Sequence, residues 1–196
     1  QVLKFSFSAE FMEMFRVVIQ LGAILAVVVL YFKKLWPFCA DNGRDSGFSR
    51  HFRWPVVRLW CKIIVACVPA AVLGLLLDDW LDAHLYNSIT VALMLIIYGI
   101  AFILIERRPR VPTTTKLSRI TYKQALIVGA WQVLALIPGT SRSGSTIIGG
   151  LLCGMSRPAA SQFTFFLAIP VMAGASGLKL VKFLAKGGVF TLAEIS

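Results

Sequence analysis

QALIVGAWQVLALIPGTSRSGSTIIGGLLCGM, residues 124–155, is the stretch on which the fold turns. Two apolar arms, Gln124 to Ile137 and Ile147 to Met155, flank a polar loop from Pro138 to Thr146 that carries one guanidinium, five hydroxyls and two glycines. Crossing about 30 Å of hydrocarbon takes roughly 20 apolar residues, so neither arm spans a bilayer alone. Two readings follow. Either the arms form a re-entrant hairpin, tolerated where protein or a water-filled cavity satisfies the freed backbone, or residues 124–155 cross once with a break.

The sequence around this stretch makes the bilayer its solvent. Hydrophobic residues are 58% of the 196 and charged residues 15%, with a mean hydropathy of +0.78, too apolar for a soluble domain of this length. Apolar runs at Phe15 to Phe32, Ile63 to Leu77, Ile89 to Ile105 and Ser161 to Leu178 are candidate spans, the second a little short and the last interrupted by Pro170. Trp60 and Trp80 bracket Ile63 to Leu77 as interfacial anchors. The expected fold is therefore an all-α polytopic membrane protein with about four spanning helices and one re-entrant hairpin, a single integral membrane domain over residues 1–196. With Gln1 in place of Met, no signal-peptide pattern, and an end at Ser196 soon after an apolar run, the chain reads as a fragment of a longer protein.

The net charge of +11 sits in short segments between the apolar runs. Residues 33 to 62 hold Lys33, Lys34, Arg44, Arg50, Arg53, Arg58 and Lys62 against Asp41 and Asp45. Residues 78 to 88 hold Asp78, Asp79, Asp82 and His84 without Lys or Arg, and residues 106 to 123 are again basic. Positive charge favours the cytoplasmic side, so these connections alternate inside, outside, inside. With a hairpin, Arg157 lies inside and Lys179, Lys182 and Lys186 fall on the unfavoured side; a broken crossing reverses both. Charge counting does not choose between them. No soluble basic face with interleaved aromatics is present, which excludes a nucleic-acid partner. Cys39, Cys61, Cys67 and Cys153 show no CxxC spacing and suggest neither a disulfide framework nor a zinc site. Gly150 with Gly154, and Ala173, Gly174 and Gly177, read as helix-packing surfaces.

The polar loop is where chemistry is expected. An Arg at mid-membrane costs about 2.5–3.5 kcal/mol even on the lenient insertion scale, and such a residue is by default functional. Glycines allow backbone N–H groups to converge, hydroxyls donate, and Arg142 can pair with two phosphate oxygens at once. A helix resuming near Thr146 adds the positive end of its dipole. Gly139 to Thr146 nearly fits the nucleotide-binding P-loop, but Ser145 occupies the Lys position and a membrane helix, not a strand, precedes it.

Pro138-Gly139-Thr140-Ser141-Arg142-Ser143-Gly144-Ser145-Thr146 resembles the P-G-x-S-R-S-x-x-T motif of the bacterial undecaprenyl-diphosphate phosphatases, the bacitracin-resistance family. Phe15 to Val27, Pro69 to Leu77, Thr121 to Ala125 and Pro158 to Pro170 extend the resemblance over most of the chain. It implies a fold of two inverted repeats, each with a re-entrant hairpin and three spanning helices, in the bacterial cytoplasmic (inner) membrane. It also implies hydrolysis of undecaprenyl diphosphate to the monophosphate and inorganic phosphate, which recycles the lipid carrier of peptidoglycan synthesis and confers bacitracin resistance. On this resemblance Arg142 holds the diphosphate and stabilises developing charge, while Ser141, Ser143 and Thr146 donate to phosphate oxygens as the catalytic set. Pro138, Gly139, Thr140 and Gly144 shape the substrate-binding turn, and the site opens toward the extracytoplasmic side.

The family also carries an N-terminal hairpin with paired glutamates and a following Ser and His, thought to supply the metal site and the nucleophile or base. This sequence begins after that place, and the last two helices of the second repeat are absent. The fragment is thus expected to hold the phosphate cradle without the metal and base half, and to be inactive by itself. The resemblance implies a divalent cation, Mg or Ca, with ligands in that N-terminal motif. Glu10 and Glu13 do not match the motif, and His51, His84, Asp78, Asp79 and Asp82 read as ordinary loop or helix-end residues. Arg16 stands where the family commonly has Glu. The expected partners are the isoprenoid lipid diphosphate and membrane lipids; a homo-oligomer is left open. The rival functions are a transporter or flippase binding an anion at a broken helix, and an inert module whose Arg142 pairs with lipid head groups.

Overall fold

The computed structural model describes residues 9–38, 53–107 and 111–185. Its helices are α1 (Ala9–Leu30), α2 (Phe32–Leu35), α3 (Trp54–Leu85), α4 (Ser88–Arg107), α5 (Tyr122–Val133), α6 (Arg142–Leu152) and α7 (Arg157–Ala185). Segments Trp54–Leu77, Ser88–Arg107 and Arg157–Gly177 are long and apolar enough to cross a membrane, and α1 adds the shorter apolar stretch Val18–Leu30. Helix α4 exposes Ile89, Leu93, Ile96, Ile100 and Leu104 along its length, a surface that only hydrocarbon would solvate. The all-α membrane fold with four long helices is as the sequence implied.

The chain divides into two units, one formed by residues 33–167 and the other by residues 1–32 with 168–196. In the second unit, Ala173, Gly174 and Gly177 are exposed, and a Cβ added at either glycine would meet nothing within 4 Å. They do not form a packing surface among the described residues. Gly150, by contrast, lies against Ala160, while Gly154 takes a positive φ of 87° at the end of α6.

Several helix ends differ from the hydropathy reading. Helix α3 begins at Trp54, nine residues before Ile63, and runs through the acidic segment to Leu85. Pro55 starts it, since proline's missing N–H is no loss in a first turn. Arg53 Nη1 donates to the Lys33 carbonyl at 2.7 Å and Trp60 Nε1 to the Leu35 carbonyl at 3.0 Å, so the segment after α1 is pinned to this helix start. Trp60 is thereby a packing residue, while Trp80 stays exposed and stacks on His84. Lys62 is buried within α3, its ammonium 5.8 Å from the centre of the Tyr122 ring, which is a cation–π distance. Helix α7 starts at Arg157 and continues through Pro170 without a break.

Residues 124–155 form a hairpin that returns to its starting level. Thr121 caps α5 in a capping box with Gln124. Gln124 Nε2 also donates to Thr114 Oγ1 at 3.1 Å and to the Cys153 carbonyl, just beyond α6, at 3.0 Å. The base is closed further by a parallel bridge between Thr114 and Met155. Glu106 at the end of α4 receives the Arg157 guanidinium at the start of α7, so both helix ends share the level of the hairpin base. The broken-crossing alternative is excluded by this geometry.

Arm α5 packs on α3 so closely that a Cβ at Gly129 would collide with the Ala66 carbonyl. Arm α6 packs on α5 through Gly149, which faces the Trp131 ring. The core of this unit is Ile63, Ala66, Ala125, Val128, Ile148 and Phe163, all essentially without exposure.

Candidate functional site

The two arms meet in a tip whose shape follows from its residues. Helix α5 tightens into a 3-10 turn at Leu134–Leu136, because Pro138 cannot continue the ladder. Gly139 then takes φ 87°, open to glycine at no steric cost, and lies so near α4 that a Cβ would be 2.6 Å from Val91 Cα. Val91 is fifteen residues before Glu106 on α4, roughly 22 Å at the helical rise. The hairpin tip therefore reaches most of the way from its base to the Ser88 end of α4.

Helix α6 starts at this tip. Ser141 is its N-cap, with Oγ accepting from the Gly144 amide at 3.2 Å and standing 3.4 Å from Ser143 Oγ. The amides of Arg142 and Ser143 have no acceptor among the described residues, as expected of a first helical turn. Arg142 is half-buried, and no carboxylate among the described residues pairs with its guanidinium. Ser141 and Ser143 are exposed beside it. The tip thus combines a cation, two open amides, two hydroxyls and a helix dipole, a set of donors in want of an anion.

The next two residues face inward. Ser145 is fully buried; its Oγ donates to the Trp131 carbonyl of α5 and accepts from the Tyr98 hydroxyl of α4 at 3.3 Å. Thr146, 1% exposed, directs Oγ1 at the carbonyls of Arg142 (3.0 Å) and Ser143 (3.1 Å) and accepts from Thr164 Oγ1 of α7 at 3.0 Å. The Thr146 hydroxyl is thus buried and directed at the protein's own carbonyls rather than at the tip, whereas Ser141 and Ser143 are exposed with their Oγ atoms beside one another. Thr140 Oγ1 is buried at the tip without a partner among the described residues, as is Gln132 Nε2 in the last turn of α5.

The structure gathers Pro138 through Ser143 around the tip, with Gly144 behind it against the Phe102 ring. Tyr98, Trp131 and Thr164 were not singled out from the sequence. Their hydroxyls and carbonyl lie in apolar helices 47, 14 and 18 positions from their partners, and no short spacing announces them.

No three His, Cys, Asp or Glu side chains gather to hold a metal ion among the described residues. His84 sits within α3, its ring Nδ1 donating to the Trp80 carbonyl at 3.0 Å. His51, Cys39, Asp41, Asp45 and Lys186 lie outside the described residues, as do the side chains of Glu10, Glu13, Arg16, Asp78, Asp79 and Asp82.

Comparison with known proteins agrees with the loop and the helices together. The family described as bacitracin resistance protein BacA matches residues 1–195. An undecaprenyl-diphosphatase of Enterococcus faecalis is 59% identical over 100% of this chain and 69% of its own length. Others from Desulfitobacterium hafniense and Streptococcus gordonii are 57% and 54% identical, over 93% and 96% of this chain and 65% and 66% of theirs. The chain spans about two thirds of the length of these relatives. On a match that runs nearly end to end, the chain belongs to the bacitracin resistance protein BacA family.

Proposed function

We propose that this protein is a multi-pass membrane phosphatase that hydrolyses undecaprenyl diphosphate to undecaprenyl phosphate and inorganic phosphate, with the hairpin tip as its phosphate cradle. The observation that carries this reading is the Arg142 guanidinium, unpaired among the described residues, beside the open amides of Arg142 and Ser143 at the start of α6. It is joined by the names of the relatives, which are undecaprenyl-diphosphatases.

Over the whole reaction one water is consumed: its oxygen ends in the released inorganic phosphate, the anhydride P–O bond breaks, lipid monophosphate leaves, and the water's hydrogens are shared between the products and solvent. Negative charge spreads over the phosphoryl oxygens in the transition state. The Arg142 fork meets two of these oxygens, the two amides a third direction, and the Ser141 and Ser143 hydroxyls complete the cradle. Donors held in place before the reaction cost no reorganisation during it. Thr146 serves the cradle from below by holding the carbonyls of its first turn. A divalent cation, Mg or Ca, belongs to the same proposal. Since no ligand cluster for it gathers among the described residues, no step is assigned to it.

Positive charge at the hairpin base, in Lys116, Arg119 and Lys123, puts that level on the cytoplasmic side. The tip, lying toward the Ser88 end of α4, then faces the extracytoplasmic half of the bilayer. A lipid diphosphate reaches it with its head at the tip and its chain against the exposed apolar helices.

The test is phosphate release from undecaprenyl diphosphate by the full-length protein in detergent, with and without divalent cation, for wild type and Arg142→Ala. Loss of about 10²-fold or more in kcat is expected on removing the main charge-stabilising group. Binding of the lipid by wild type without any phosphate release would replace the phosphatase by a transporter.

A further inference from the structure

Two buried hydroxyl chains converge on neighbouring residues of α6, directly below the phosphate cradle. One runs from Tyr98 on α4 through Ser145 to the Trp131 carbonyl on α5. The other runs from Thr164 on α7 through Thr146 to the carbonyls of Arg142 and Ser143. Consecutive residues point about 100° apart around a helix with 3.6 residues per turn, so the chains hold the first turn of α6 from two directions. The arrangement gathers all four helices around the cradle onto two side chains.

We infer that Thr164 and Tyr98 are positioning residues for Arg142. The inference rests on the phosphatase reading. Thr164 is buried, and among the described residues its hydroxyl bonds to Thr146 rather than to Arg142, Ser141 or Ser143. It donates to Thr146 Oγ1, so the only hydrogen of Thr146 points to the carbonyls of Arg142 and Ser143. Those carbonyls belong to the same two residues whose amides face the phosphate. Tyr98 orients Ser145 in the same way, and Ser145 ties α6 to α5 one residue earlier. Packing alone leaves an apolar helix free to rotate or slide slightly on its neighbours. Hydrogen bonds in a buried setting are directional and fix that freedom.

The consequence is specific to the transition state. A long Arg side chain follows a displaced ground-state phosphate, but the fork must be aligned when charge develops, and small misplacements remote from the chemistry cost up to 10²-fold in rate. Removing the Thr164 hydroxyl therefore lowers kcat and leaves KM nearly unchanged.

The experiment compares wild type, Thr164→Val, Thr164→Ser and Tyr98→Phe in the full-length protein, purified in detergent and assayed for phosphate release from an isoprenoid diphosphate. Thr164→Val keeps the shape and loses the donor; it is expected to reduce kcat about 10- to 100-fold with KM within about threefold. Thr164→Ser restores the donor and is expected to recover most of that loss. Tyr98→Phe is expected to lower kcat in the same direction, and carries the test if Thr164→Val is not recovered as a monodisperse protein. Unchanged kcat in Thr164→Val and Tyr98→Phe, or a Ser variant as damaged as the Val variant, overturns the inference. A wild-type protein that releases no phosphate overturns the phosphatase reading instead.

Discussion

On the proposed function Arg142 is the residue on which the phosphate cradle depends, and its chemistry there is geometric as much as electrostatic. Its planar fork can meet two phosphate oxygens along parallel N–H bonds, whereas a Lys ammonium is a single point of charge. Arg142→Lys keeps the charge and the first turn of α6, and is expected to lower kcat by on the order of 10²-fold in a steady-state assay; near-normal turnover would remove the bidentate role. The polar loop was legible in the sequence because one Arg and five hydroxyls between apolar arms are costly in hydrocarbon unless they bind something. The division of labour inside it was not. Ser141, Ser143, Ser145 and Thr146 look alike as letters, and only the register of α6 separates those at the tip from those turned toward Trp131, Tyr98 and Thr164. Lys62 shows the same limit from the other side. Its charge read as a cytoplasmic loop, yet it is buried in a helix beside Tyr122, its stem packed and its ammonium over a ring.

At the scale of elements, the hairpin is defined by what closes its base. Gln124 caps its own helix through Thr121 and holds the far arm through the Cys153 carbonyl. Gln124→Met is of similar length and volume and removes these bonds, leaving the Thr121 amide and the Cys153 carbonyl to find other partners. The expected loss is about 1–3 kcal/mol, seen as a fall on the order of 5 °C in the apparent melting temperature in detergent. An unchanged melting temperature would show that the base is held by packing alone. Arm lengths pointed to this hairpin from the sequence, but they could not exclude a broken crossing, since both give the same hydropathy profile. The decision lies in long-range pairs such as Glu106 with Arg157 and Thr114 with Met155, which no local pattern encodes. Hydropathy likewise located α3 but not its start, because Arg58 and Lys62 lie inside the helix and interrupt the apolar run.

At the scale of the whole molecule, the hairpin sets the sidedness of everything that follows it. In a background without the native cysteines, Ser118→Cys and Ser156→Cys are expected to react with a membrane-impermeant thiol reagent from the same face, and Asn87→Cys from the opposite one. Labelling of positions 118 and 156 from opposite faces would reinstate a broken crossing. The close fit of Gly139 against Val91, and of Gly129 against Ala66, carries a further consequence for biogenesis. Neither arm is long enough to be integrated as a span on its own, and a tip whose Arg meets no carboxylate among the described residues has no stable place in bare lipid. The tip lies on α4 at Val91 and the arm behind it on α3 at Ala66, so the hairpin settles against both helices. The expected order of assembly is therefore flanking spans first and hairpin afterwards, with the loop Pro138 to Thr146 taking its shape only once α3 and α4 are in the membrane.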